Sequence, residues 1–156
     1  MDIVFTNQMN KFNFRAAAVC IESDHILLTK AKNEDHWFIP GGRVSMMETG
    51  EEALERELNE ELGKEVEIDR MIWIVENFFT YNEQNFHEIC FIYNGTFSDS
   101  LYPEKGNEPF FDEENKAFMF QWIPLNQVKS MDIRPEFIKS RLNDMPSNTE
   151  HIVIRD

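Results

Sequence analysis

The densest group of chemically active side chains lies between Glu51 and Glu61, in the segment EEALERELNEE. Six of these eleven residues are glutamates, in a chain whose formal net charge is already -14. Carboxylates one helical turn apart repel each other, so helix propensity alone does not explain the arrangement. The segment is therefore either a solvated helix face or a place where a positive charge binds.

The spacing predicts a helix that carries three carboxylates on one face. With Glu57 as the reference, Glu60 and Glu61 lie within about 60° of it around the helix axis. An apolar stripe lies beside them, formed by Leu54, Leu58 and Leu62. This pattern predicts that the leucines dock on the core and that the three carboxylates lie partly buried at its edge. The opposite side of the helix carries Glu52, Glu55 and Asn59.

Partly buried carboxylates that share a site need a counter-charge to remain ionised. Arg56 supplies one positive charge within reach of Glu57 and Glu48, yet an excess of negative charge remains. Oxygen ligands on a rigid helix, without a nearby His or Cys at ligand spacing, favour Mg²⁺ or Mn²⁺ over Zn²⁺. On composition and spacing alone, a metal site and a solvated helix face both stay open.

Capping and turn signals place this helix among predicted strands. Thr49 and Glu52 form a capping-box pattern and Gly63 supplies a helix-ending residue, so the helix is predicted from about Gly50 to Leu62. Pro135 is expected to open a second helix that runs to about Asn143. Runs rich in Ile, Val, Phe and Tyr predict strands at 12–22, 25–30, 65–75, 86–97, 117–123 and in the terminal HIVIRD. The segment ENFFTYNEQN, 76–85, is expected to be a strand end plus a loop, and 98–115 is expected to contain the longest loop. Both 78–85 and 98–115 are candidates for setting the substrate specificity.

These elements predict a single domain over residues 1–156, with a mixed β-sheet of six or more strands and two helices. The expected fold class is an α/β or α+β sandwich. The acidic balance speaks against nonspecific binding to nucleic acid or to anionic membranes, because both need a basic surface. Cys20 and Cys90 lie in apolar strand-like segments and are expected to be buried free thiols. Since the N-terminus carries no secretory signal pattern, we expect a cytoplasmic protein.

The chain carries a spaced pattern that starts at Gly42, continues through Glu48 and ends in the run RELNEELG, 56–63. It resembles the signature of the Nudix hydrolases: a glycine, five residues, a glutamate, seven residues, then Arg-Glu-aliphatic-x-Glu-Glu-x-Gly-aliphatic. Every fixed position is met, and the one departure is Lys64, where the family usually has an aliphatic residue. The order of the predicted elements from Phe12 to Asn143 also resembles the Nudix fold.

The resemblance implies hydrolysis of a pyrophosphate linkage in a nucleoside diphosphate joined to another moiety, with a divalent cation. It implies that Glu57 deprotonates the attacking water, and that Arg56 and Glu48 orient the cluster. The implied ligands of Mg²⁺ or Mn²⁺ are Glu57, Glu60, Glu61 and the backbone carbonyl of Gly42. With this resemblance, the crowded glutamates are best interpreted as a cation site.

Residues outside the motif are candidates for completing the site. Many family members recruit one more carboxylate from a loop, and Glu114 is our choice here, with Glu113 and Glu88 as alternatives. A plain solvated acidic loop is equally compatible with the sequence. Substrate contacts are expected among basic and aromatic side chains, namely Arg15, Arg43, Trp37, Phe79 and Tyr81.

The substrate class stays open at this point. A nucleotide-derived small molecule is expected: ADP-ribose or another nucleotide sugar, a nucleoside triphosphate or a dinucleotide. A capped RNA end is disfavoured because the chain lacks a basic track. The segment PGGRV resembles the ADP-ribose and sugar-nucleotide branch. A catalytically silent nucleotide-binding or sensing module is the alternative, although such proteins commonly lose motif glutamates that this chain keeps. A homodimer is compatible with the resemblance.

Overall fold

The computed structural model describes residues 1–155. Its strands are Val4–Asn7 (β1), Asn10–Glu22 (β2), His25–Ala31 (β3), Gly41–Arg43 (β4), Val66–Tyr81 (β5), Gln84–Phe97 (β6), Phe110–Phe111 (β7), Phe118–Pro124 (β8) and Glu150–Arg155 (β9). Its α-helices are Gly50–Leu62 (α1), Tyr102–Lys105 (α2) and Phe137–Arg141 (α3). A 3₁₀ segment, Leu125–Ser130, follows β8.

The described strands form one mixed sheet in the order β7-β8-β3-β2-β6-β5-β9, with β1 and β4 both paired to β2. β2 pairs with β6 in parallel, and β5 pairs with β9 in parallel, while the remaining pairs are antiparallel. The mixed α+β sheet predicted from the sequence is therefore confirmed.

Helical segments cover both faces of this sheet. One core lies between α1 and the sheet, and its most buried members include Ala16, Ala18, Leu54, Leu58 and Trp122. The other core lies under α3 and the 3₁₀ segment, with Ala17, Val19, Trp73, Ile92 and Ile138. Since side chains alternate along β2, its even-numbered residues face α1 and its odd-numbered residues face α3.

Helix α1 has the bounds that its capping signals predict. The Thr49 hydroxyl accepts a hydrogen bond from the Glu52 amide at 3.2 Å, and the Glu52 carboxylate accepts one from the Thr49 amide at 2.7 Å. Gly63 ends the helix in the left-handed conformation at φ 64°, which costs glycine little. The buried face consists of Gly50, Ala53, Leu54, Leu58 and Leu62, as the apolar stripe predicts.

Two segments differ in detail from the expected loops. The segment 78–85 is the closed end of the β5–β6 hairpin, whose turn residues Asn82 and Glu83 both have positive φ, 49° and 62°. Two successive left-handed residues match the twist of a hairpin, so pairing continues up to the turn. The segment 98–115 contains α2 and β7 rather than only loop.

The N-terminal hairpin and the second helix also differ from expectation. β1 pairs with β2 from Val4 opposite Asn13 to Asn7 opposite Asn10, and this strand was missed. α3 begins at Phe137 rather than at Pro135, and it ends at Arg141 rather than at Asn143. Cys20 and Cys90 are both buried and free, as predicted. Within residues 1–155, no helix combines the length and the apolar character that a membrane span requires.

Candidate active site

Arg56 is the centre of the carboxylate cluster on α1. Its Nε donates to Glu48 Oε2 at 3.0 Å, and its Nη2 donates to Glu48 Oε1 at 2.6 Å. Its Nη1 donates to Glu57 Oε1 at 3.0 Å and lies 3.6 Å from Glu60 Oε2. A further hydrogen bond, 3.2 Å long, joins Nη2 to the backbone oxygen of Arg43 on β4. The guanidinium therefore links the helix, the preceding loop and the sheet edge.

Glu48 is held on both sides. Besides the two bonds from Arg56, its Oε1 accepts the Ser45 amide at 2.7 Å. Hydrogen bonds from Arg56, which outweigh the effect of burial, lower the pKa of Glu48 to about 2. The same pair raises the pKa of Arg56 above its ordinary value. Glu48 thus stays charged and fixes the arginine, which in turn orients Glu57.

Position 42 requires glycine because the Glu57 side chain lies close to its backbone. β4 pairs with β2 so that Gly42 lies opposite Ala16, on the face that packs against α1. A Cβ at position 42 would lie 2.3 Å from the carboxyl carbon of Glu57. Only a residue without a side chain leaves room for that carboxylate beside the β4 backbone. The sequence motif therefore brings Gly42 and Glu57 together in space.

The three motif carboxylates differ in their surroundings. Burial raises the pKa of Glu57, against the opposing effect of Arg56. Burial, reinforced by the charges of Glu57 and Asp112, raises the pKa of Glu61 to about 8. The Glu60 side chain is 45% exposed and reaches Arg56 only at its edge. The cluster is thus polar at its outer end and poorly solvated around Glu61.

Asp112 is a site residue that the sequence reasoning missed. It is 2% exposed, directly after β7, and its Oδ1 has no hydrogen-bond partner within residues 1–155. Its charge is one of the causes that raise the pKa of Glu61. The next residue, Glu113, donates its amide to the Glu61 backbone oxygen at 2.8 Å, which fixes this loop on the end of α1. Glu113 and Glu114 themselves are exposed.

The donor chemistry of this region fits a hard divalent cation. Glu57, Glu60, Glu61 and Asp112 offer carboxylate oxygens, and a buried Asp oxygen without a partner is a group that a cation would satisfy. In the described part of the chain, no three His, Cys, Asp or Glu side chains converge closely enough to hold an ion in this arrangement. Two of the carboxylates, Glu57 and Glu60, are instead engaged by Arg56.

A small cavity of about 30 Å³ lies on the α3 face of the sheet, the face opposite α1. Its lining residues are Arg15, Ala17, Phe38, Ile39, Val75, Asn77, Glu88, Cys90, Ile92, Arg134 and Pro135. The Arg15 Nη1 lies 3.9 Å from Glu88 Oε1. Burial opposes the charge of Arg15, but Glu88, with smaller effects from Glu61 and Glu57, holds the pKa of Arg15 above its ordinary value. Arg15 therefore lines the cavity, and its charge also interacts with the α1 carboxylates Glu57 and Glu61.

The other aromatic residues expected to contact substrate, Trp37, Phe79 and Tyr81, do not line this cavity. Trp37 is partly buried, with the Lys30 ammonium 5.0 Å from its ring centre. Phe79 stacks on Phe86 at 4.9 Å. The Tyr81 hydroxyl donates to the Glu34 carboxylate.

Two basic residues near the motif have structural partners. The Arg43 guanidinium lies 3.9 Å from Asp2. Lys64, the departure from the motif, forms a 2.8 Å ion pair with Glu104 on α2. The Lys64 position therefore serves contact with α2 through charge rather than through apolar packing.

Comparison with known proteins identifies the family of this fold. The chain aligns with diphosphoinositol polyphosphate phosphohydrolase 2 of Rattus norvegicus at 34% identity over 70 residues, covering 42% of this chain and 39% of that protein. It thus spans about two fifths of the length of that relative. The fold is similar to the solved structure of a MutT protein from Bacillus halodurans, with a TM-score of 0.65, 17% identity, and 89% of each chain covered.

An ADP-ribose pyrophosphatase from Streptococcus suis gives a TM-score of 0.61 at 13% identity, with 90% of this chain and 98% of that chain covered. At such identities the likeness establishes the fold alone. The model of the NUDIX domain matches residues 12–141, most of the chain. The protein belongs to the Nudix family.

Proposed function

We propose that this protein is a Nudix pyrophosphohydrolase that cleaves a diphosphate bond in a nucleotide-derived substrate, with Mg²⁺ or Mn²⁺ as cofactor. The observation that carries the proposal is the Arg56-centred cluster, which holds Glu57 against the glycine backbone of β4 with Glu60 and Glu61 beside it. All motif glutamates are present, which favours turnover over a silent binding module.

The residues that would hold the cation are Glu57, Glu60 and Glu61, with Asp112 as a further oxygen donor and the Gly42 carbonyl beside them. Asp112 replaces Glu114 as the stronger candidate outside the motif, because it is buried while Glu114 is exposed. When bound, the cation screens the diphosphate and lowers the pKa of water, so that a nucleophile forms near neutral pH.

The side chains of the protein would then supply proton transfer, positioning and charge neutralisation. Glu57 takes the proton from the attacking water, because its pKa is raised above that of an ordinary carboxyl. Arg56 limits that rise and fixes the Glu57 carboxylate, and Glu48 fixes Arg56. Arg15 lines the cavity on the α3 face and feels the charges of Glu57 and Glu61, and there it would neutralise phosphate oxygens of the substrate.

The proposal is tested with the purified protein, Mg²⁺ and a panel of substrates. The panel contains ADP-ribose, sugar nucleotides, dinucleoside polyphosphates and nucleoside triphosphates, and the products are read by chromatography. Glu57→Gln removes a charge without changing size, and we expect kcat to fall roughly 10²- to 10⁴-fold.

Glu52→Gln is the matched control on the far side of α1. Glutamine at this position can still accept the Thr49 amide, so the capping box is retained. Near-normal turnover is expected in this variant. Retained activity in Glu57→Gln would refute the role of that residue, and Mg²⁺ binding without turnover of any panel member would favour the sensing module.

A further inference from the structure

Lys64 is the residue at which this chain departs from the Nudix signature, and it has acidic neighbours. Its ammonium forms a 2.8 Å ion pair with Glu104 on α2. The hydrogen bond to Glu104, with smaller effects from the charges of Asp99 and Glu113, holds the pKa of Lys64 above its ordinary value. Asp99 and Glu104 precede β7 in the chain, and Glu113 follows it. Lys64 therefore attracts the segments on both sides of β7 toward the end of α1.

The end of α1 is a place where acidic groups are unfavourable without a positive charge. The last turn reads NEEL, 59–62, and the free carbonyl groups of a helix C-terminus add partial negative charge. The carboxylate of Glu113 nevertheless lies against this end, since a Cβ added at Gly63 would overlap Glu113 Oε2. Lys64, the next residue, supplies a cation at this point. Its charge therefore offsets the repulsion that Glu113 and Glu104 would otherwise meet here.

The short helix α2 is held at both of its ends. At its N-terminal end, the Glu22 carboxylate at the end of β2 accepts the amides of Leu101 and Tyr102 at 3.1 and 3.0 Å. Near its other end, Glu104 is bound by Lys64. The first contact ties α2 to the sheet, and the second ties it to the end of α1. Residues 106–109 then lead directly from α2 into β7, so the position of α2 limits where β7 can start.

Asp112 depends on these contacts for its position near Glu61. β7 consists of two residues, and Asp112 follows it directly. On the other side, the Glu113 amide donates to the Glu61 backbone oxygen at 2.8 Å. Asp112 is 2% exposed, and its Oδ1 has no hydrogen-bond partner among residues 1–155. A strand as short as β7 needs support from the segments that flank it, and Lys64 contacts one of them and attracts the other.

We propose that Lys64 is a positioning residue for the cation site: it holds α2 and Glu113 at the end of α1, and so places the Asp112 carboxylate as an oxygen donor near Glu61. The inference rests on the proposed function, since it takes Asp112 as one of the donors of that site. An aliphatic residue at position 64 carries no charge, so it could not bind Glu104 or attract Glu113. The departure from the motif therefore has a role that an aliphatic residue could not fill.

The first test measures the binding of Mn²⁺ to the purified protein by isothermal titration, without substrate. By charge alone, Lys64→Met removes a repulsive cation and should strengthen Mn²⁺ binding. If Lys64 positions Asp112, the variant should instead bind Mn²⁺ about 3- to 10-fold more weakly, because supporting residues affect the affinity of a metal site and this ion pair is partly exposed. Lys64→Arg keeps the charge and should bind Mn²⁺ as the wild-type protein does. Unchanged or tighter binding by Lys64→Met would overturn the inference.

Asp112→Asn shows whether Lys64 acts through Asp112. We expect this variant to bind Mn²⁺ more weakly, and adding Lys64→Met should cause no further loss, because no carboxylate is left to position. An equal loss in both backgrounds would contradict the inference. The matched control is Lys129→Met, which changes an exposed lysine of the 3₁₀ segment on the opposite face of the sheet and should retain wild-type affinity.

Amide hydrogen exchange in EDTA, followed by NMR, provides a readout that needs no metal. The Glu113 amide is hydrogen-bonded to Glu61, and in Lys64→Met it should exchange at least about threefold faster. The Ala18 amide, which donates to the Pro40 backbone oxygen, should be unaffected. Equal exchange of the Glu113 amide in both proteins would count against the inference, and so would an equal acceleration at Ala18, which would indicate general destabilisation.

Turnover separates this inference from the proposed function. The same proteins are assayed with the substrate panel at saturating Mg²⁺. Hydrolysis by the wild-type protein, with equal Mn²⁺ affinities in wild type and Lys64→Met, would refute the role of Lys64 and leave the pyrophosphohydrolase proposal intact. Mn²⁺ binding that depends on Lys64 and Asp112, with no hydrolysis of any substrate, would refute the pyrophosphohydrolase proposal alone.

Discussion

Replacing Glu61 by Gln is expected to stabilise the metal-free protein at alkaline pH while it weakens metal binding. Burial and the charges of Glu57 and Asp112 raise the pKa of Glu61 to about 8, from an ordinary value of 4.5. Between these values the folded protein binds a proton that the unfolded chain does not bind. Stability therefore falls as pH rises through this window, and it is fully retained only below the lower value.

The size of the effect follows from the shift of about 3.5 pH units. Each unit corresponds to about 1.36 kcal/mol, so the ceiling is roughly 5 kcal/mol. Water penetration and side-chain rearrangement reduce such penalties, and about 1 to 3 kcal/mol is the expected gain in the free energy of unfolding. For a domain of this size, that corresponds to an increase in Tm of about 3 to 9 °C.

The assay is thermal unfolding in EDTA at pH 5 and at pH 8.5. The gain of Glu61→Gln should be small at pH 5, where Glu61 is protonated in the folded protein, and large at pH 8.5. Glu55→Gln, at an exposed position of α1, should show no comparable gain. Saturating Mg²⁺ should raise the Tm of the wild-type protein more than that of the variant. An unchanged or lower Tm of Glu61→Gln at pH 8.5 would refute the reasoning.

Three further changes test the surrounding structure. Gly42→Ala places a Cβ against the flexible end of Glu57, so turnover should fall about 10- to 100-fold with little loss of Tm; a normal rate would contradict the close approach. Glu48→Gln should lower the free energy of unfolding by about 1 to 3 kcal/mol at pH 7 in urea titrations. Because the pKa of Glu48 is lowered to about 2, the difference in stability between the variant and the wild-type protein should vanish as pH falls from about 4.5 to 2. A difference that stays constant over this range would mean that the ion pair between Glu48 and Arg56 is not its cause. Leu58→Ala, at a fully buried position, should cost about 2 to 5 kcal/mol in the same titrations, whereas a cost below 1 kcal/mol would mean that α1 packs loosely.

The helix of the site could be predicted because its signals are local. The capping box, the leucine stripe and Gly63 all lie within a few turns of the residues they organise, and they give α1 its observed bounds. The contacts of Arg56 follow from the same helix, since Glu60 lies one turn further along its face and Glu57 is the next residue in the chain. Short-range chemistry of this kind is readable from spacing alone.

Asp112 could not be found in this way. Its burial depends on β7, a strand of two residues whose pairing places Phe110 opposite Phe120 and Phe111 opposite Met119. A two-residue strand between polar segments carries no periodic signal. The full extent of the β5–β6 hairpin was not predicted either, because its turn is Asn82-Glu83 rather than a glycine-containing pair.

The surroundings of Glu88 depend on strand register, which no local pattern reveals. Asn13 and Glu88 are 75 residues apart in the chain and become neighbours only through the parallel pairing of β2 with β6. A shift of one residue along β2 would turn Arg15 and Asn13 away from the cavity and toward α1. It would also remove Gly42 from its position against Glu57, because β4 is registered on the same strand. The register of β2 therefore determines which of its residues face α1 and which face the cavity, so the motif predicts the chemistry of the site while the pairing of this strand determines what surrounds it.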